Sequence, residues 1–70
     1  MGTPIQMFSV EEDGQEIETL AAISGAARIW SERPTTRRVY QVTPTGPGGS
    51  LEKICEVTAH DLTAALKVRF

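Results

Sequence analysis

Thr19-Leu-Ala-Ala-Ile-Ser-Gly-Ala-Ala-Arg-Ile-Trp-Ser-Glu-Arg33 is the stretch that decides how this chain folds, because it is the one long segment with an unambiguous period. At about 100° per residue, Leu20, Ile23, Ala26, Ala27 and Trp30 share one side and Ala22 and Ile29 widen the stripe, while Ser24, Arg28, Ser31 and Glu32 point away. The pattern predicts an amphipathic helix over about residues 19–33. Thr19 is placed to cap its first turn through the hydroxyl. Pro34, which has no N–H and disfavours α geometry at Arg33, ends it.

On the N-terminal side, Ile5-Gln-Met-Phe-Ser-Val10 reads as a strand, with Ile5 and Met7 on one face and Phe8 and Val10 on the other. Asp13-Gly14 is a hairpin-turn signal, since Gly tolerates the positive φ such turns need, and residues 15–18 form a short return strand. Beyond the helix, residues 35–43 are rich in strand formers, Pro44-Thr-Gly-Pro-Gly-Gly-Ser50 is a turn cluster, and residues 51–57 complete a second hairpin with Leu51, Cys55 and Val57 on one face. Thr58-Ala-His-Asp61 has capping-box spacing and opens a short helix marked by Leu62, Ala65 and Leu66. Leu66, Val68 and Phe70 also alternate with Lys67 and Arg69, as a terminal strand would.

The expected fold is therefore α+β, a single two-layer domain over residues 1–70. An antiparallel sheet of three to four strands carries the main helix on one face. With the terminal strand the order is the ferredoxin-like β-α-β-β-α-β; without it, a terminal helix or tail covers the edge of a three-stranded sheet. Trp30 and Ile23 are expected to press onto the sheet. A chain of 70 residues buries only about 60% of the surface exposed on unfolding, so a monomer or a homodimer is expected.

One cysteine cannot form an internal disulfide, and no apolar run approaches the roughly 20 residues of a membrane helix. A cytoplasmic protein without a membrane segment is expected. Net charge is −2, which argues against bulk electrostatic binding to nucleic acid, but the charges are unevenly placed. Residues 1–27 hold Glu11, Glu12, Asp13, Glu16 and Glu18 and no base, whereas Arg28, Arg33, Arg37 and Arg38 crowd residues 28–38 against Glu32 alone.

No constellation points to catalysis, metal binding or a cofactor. Alternation puts Cys55 on an apolar strand face, where a thiol is expected to be buried and inert. His60 and Asp61 lack the further partners that proton transfer or a metal would need, and Asp61 suits a helix start. The Gly-rich loop joins two strands, whereas a phosphate loop enters a helix. The arginines are the most informative group. Their forked donors match phosphates and carboxylates, although they also suit a helix C-terminus and a protected strand edge. Arg37 and Arg38 are adjacent in a strand and must face opposite ways. An RNA-binding sheet would need stacking aromatics, for which only Tyr40 and Phe8 are available.

Gly14-Gln-Glu-Ile-Glu18 followed by Ser24-Gly-Ala-Ala-Arg-Ile-Trp-Ser31 resembles the helix region of small phage-encoded anti-CRISPR proteins acting on type I systems. The resemblance is carried by Ile17, Glu18, Ser24, Ala26, Arg28, Ile29 and Ser31, lies within residues 14–33, and does not extend to the aromatic-rich hairpin of that group. It implies a non-enzymatic inhibitor that docks on a host ribonucleoprotein such as a CRISPR surveillance complex, blocking DNA recognition or nuclease recruitment. Arg28 is the one contact residue it carries over. The charge pattern adds Glu11, Glu12, Asp13, Arg33, Arg37 and Arg38 as partner-binding candidates. The alternative is a small nucleic-acid-binding or regulatory domain that uses residues 28–38.

Overall fold

The computed structural model describes residues 6–45 and 48–67. Its elements are β1 (Met7–Glu12), β2 (Gln15–Leu20), α1 (Ile23–Glu32), β3 (Arg37–Pro44), β4 (Leu51–Val57) and α2 (Ala59–Leu66). Every neighbouring strand pair in the sheet is antiparallel, in the order β2-β1-β3-β4. The α+β two-layer fold read from the sequence is the one found. The element order is β-β-α-β-β-α rather than β-α-β-β-α-β; residues 68–70, where a terminal strand was expected, lie outside the described residues.

Asp13 and Gly14 have φ of 55° and 77°, and Glu12 pairs with Gln15 across them. They form a two-residue hairpin whose positive φ values suit the twist of the flanking strands. Since β2 and β3 both run antiparallel to β1, they are parallel to each other, and α1 is the crossover that carries the chain over the central strand.

The two helices share one face of the sheet. Phe8, Val10 and Val39 from the strands meet Ala26 and Ala27 of α1 and Leu62 and Ala65 of α2, with Leu20, Ile23, Ile29, Trp30 and Val57 packed around them. Ala26 and Ala27 are fully buried, so small side chains let α1 approach the sheet closely. Trp30 is half-buried at the margin instead of anchoring the centre.

Helix α1 begins four residues later than its stripe suggests. Leu20 pairs with Phe8 and Thr19 with Ser9, so β2 continues through both. The N-cap is Ala22, which makes no side-chain hydrogen bond, and the Thr19 hydroxyl is buried without a hydrogen-bond partner among the described residues. At the other end Arg33 N–H donates to Trp30 O at 3.1 Å, and Pro34 follows. Helix α2 is capped as its sequence implies: Asp61 N–H donates to Thr58 Oγ1 at 3.2 Å.

Two pairing irregularities redirect side chains. Between β1 and β2 the register skips at Ile17, and between β3 and β4 it skips at Ile54. The second skip places Leu51 on the face opposite Cys55 and Val57, because one extra residue reverses the alternation. Cys55 faces the helix side yet is exposed, contrary to the expectation of a buried thiol. Helix α2 packs chiefly against α1, so β4 is largely uncovered, with only Val57 at its end packed on the core. Among the described residues no helix is long and apolar enough to cross a membrane.

Candidate partner-binding surface

In the β1/β3 register Glu11 lies opposite Arg38 and Glu12 opposite Arg37, so the acidic turn and the arginine pair meet on adjacent strands. Alternation then separates each pair between the two faces, as the adjacency of Arg37 and Arg38 requires.

On the helix side, Glu12 is the hub. Its Oε2 accepts from Thr36 Oγ1 at 2.7 Å and lies 3.6 Å from Arg33 Nη1, while its Oε1 lies 3.5 Å from Arg37 Nε. Arg37 Nη1 also donates to Ile29 O at 2.8 Å and to Glu32 Oε1 at 3.0 Å. The side chains of Glu12 and Arg37 are only 16% and 15% exposed, whereas that of Arg33 is 66% exposed. The Thr36 hydroxyl holds the Glu12 carboxyl below its ordinary pKa of 4.5; Arg37 and Arg33 act in the same direction against partial desolvation. This group ties the first hairpin to the last turn of α1 and the start of β3.

On the opposite, open face, Lys53 Nζ sits 2.7 Å from Glu11 Oε2 and 4.3 Å above the Tyr40 ring. Glu11 raises the Lys53 pKa above its ordinary 10.5. Glu11 pairs with Glu16 across β1 and β2, and the like charges are relieved separately: Lys53 takes the first, and Ser9 Oγ donates to Glu16 Oε1 at 2.8 Å. Arg38 lines an open cleft of about 440 Å³ at the turn end of this face, with Glu11, Asp13, Thr35 and Tyr40.

The expected site residues thus divide. Glu12 and Arg37, with the outlying Arg33, bind one another; Glu11 binds Lys53. Asp13, Arg28 and Arg38 are exposed and enter no ion pair among the described residues. Sequence reasoning missed Lys53, Thr36 and the Glu16 contact. The opposed pairs Glu11-Glu12 and Arg37-Arg38 were a signal for the β1/β3 register, but Lys53 reaches Glu11 only because β3 lies between β1 and β4. Phe8 belongs to the core, which leaves Tyr40, beneath Lys53, as the aromatic on the open face among the described residues.

Among the described residues no three His, Cys, Asp or Glu side chains gather as a metal site would require. No protein family, curated protein or solved structure matches this chain.

Proposed function

We infer that the protein is a non-enzymatic binding module of phage or mobile-element origin, anti-CRISPR-like, which docks on a host nucleoprotein complex and blocks its DNA binding or nuclease recruitment. The observation that carries this is the exposed charge left after internal pairing. Once Glu11, Glu12, Arg33 and Arg37 have bound partners within the chain, Asp13, Glu16 and Glu18 remain along the first hairpin, Arg38 shares the turn-end cleft with Asp13, and Arg28 stands exposed on α1. Exposed charge of both signs, left out of ion pairs among the described residues, favours a protein partner chosen by complementarity, which sets association rate and specificity more than total affinity. A nucleic-acid site over residues 28–38 draws less support, since two of its four guanidiniums are held by Glu12.

The test is a type I CRISPR interference assay with the parent, Asp13→Lys, and the double variant Arg28→Glu, Arg38→Glu. All three positions are exposed, so the fold should survive. The parent should protect phage DNA, and at least one variant should not. Suppose instead that the parent gives no protection against any subtype and binds duplex DNA with a salt dependence that weakens in the double variant. The nucleic-acid role then replaces the inhibitor role.

A further inference from the structure

Strand β2 hydrogen-bonds to β1 on one side, and the sheet order ends with it among the described residues. Gln15, Glu16, Ile17 and Glu18 are all exposed, Ile17 at 44%. A free edge presents a row of N–H and C=O groups to any extended segment, and proteins usually blunt such edges with charged side chains, proline, a bulge or an inward charge. In β2 those devices are acidic side chains and the skip at Ile17, which discourage pairing with another acidic edge, while neither β2 nor the turn before it holds a lysine or proline to repel a basic strand. Glu16 is on the open face, where it meets Ser9. Glu18, opposite Val10, is on the helix face, because the skip at Ile17 reverses the alternation. Asp13 stands at the adjoining turn. None of these three carboxylates is in an ion pair among the described residues.

The other edge is different. Strand β4 carries both signs in Glu52, Lys53 and Glu56, and its lysine is already bound to Glu11. A second copy of this chain is a poor occupant for β2, since the same carboxylates would face each other.

Building on the docking role above, we propose that the β2 edge is the docking surface and that its occupant is an extended, lysine- or arginine-bearing segment of a partner protein, added as a further strand. Main-chain hydrogen bonds supply affinity in this mode, and side chains on the two faces supply selectivity. A basic side chain on either face of the added strand meets a carboxylate, and Ile17 offers an apolar contact between them.

The experiment titrates the isotopically labelled full chain with three synthetic peptides: alternating lysine and valine, alternating glutamate and valine, and the lysine–valine peptide N-methylated at alternate amides. The lysine–valine peptide should bind, perturb the amides of residues 15–18 and slow their hydrogen exchange. Binding should fall by roughly tenfold or more with the glutamate peptide, with the N-methylated peptide, and in the double variant Glu16→Lys, Glu18→Lys. Glu18→Gln, which keeps the side-chain shape, should show a smaller loss in the same direction if the double variant fails to fold. Equal binding of the N-methylated peptide, shifts centred on β4, or no binding at about 1 mM peptide would overturn the proposal. In the interference assay, protection that survives Glu16→Lys, Glu18→Lys removes the edge assignment and leaves the docking role standing. A parent that binds the peptide but never protects removes the inhibitor role alone.

Discussion

Glu12 holds three parts of the chain with one carboxylate, and its charge makes that hold depend on pH. Its folded pKa lies below the ordinary 4.5, so it contributes stability above that pH and loses the contribution as pH falls through the folded value. Glu12→Gln should therefore lower Tm at neutral pH, and the gap to the parent should close as the pH drops below 4.5. A gap that stays constant on acidification would show that shape, not charge, is what matters there. Cys55 gives a second residue-scale expectation. The residue is exposed and its sulfur lies 3.8 Å from Gln41 Oε1, so a thiol reagent should label the native protein nearly as fast as the denatured one. The sequence placed this residue on the correct strand face. It could not show that no helix would cover it, because alternation reports direction and not what lies above.

At the scale of elements, both helices can be tuned without touching the core. Gly25 sits in α1 with room for a methyl group: an added Cβ would meet the Leu20 methyls at 3.8 and 3.9 Å, ordinary contact distances. Gly25→Ala should stabilise the protein by about 1 kcal/mol in denaturant melts, through the helix propensity gained. Thr58→Ala should do the reverse, costing about 1 kcal/mol by freeing the Asp61 N–H at the start of α2. Helix ends written in local chemistry, such as Pro34 and the Thr58 cap, were legible. The start of α1 was not, because Thr19 and Leu20 are claimed by pairing with Ser9 and Phe8, and a tertiary contact overrides a local cap.

For the molecule as a whole, extents of 33 × 30 × 16 Å describe a slab one sheet and one helix layer thick. Its stability is concentrated in few side chains. Among the described residues Leu62 is the largest that is fully buried, so Leu62→Ala should cost about 2–5 kcal/mol by urea melt, a large share of the roughly 5–15 kcal/mol of a small domain. Leu66→Ala, one turn on and 39% exposed, should stay within about 0.5 kcal/mol. The two hairpins were legible because each is local, whereas the β1/β3 neighbourhood was signalled only by the opposed pairs Glu11-Glu12 and Arg37-Arg38. Nothing in a period says that β3 lies beside β1 and not beside β2, and the whole Glu12 cluster follows from that adjacency.

That adjacency also sets a sequence of events in time. Each hairpin closes over a short loop, whereas joining β1 to β3 brings together Glu12 and Arg37, 25 positions apart, across β2 and α1. Loop-closure entropy makes this the slow step, so the domain should fold as two quickly formed halves that meet late. The ionic clasp across that seam would then do little to speed folding and much to delay opening, making Glu12 and Arg37 determinants of how long the folded protein lasts once made.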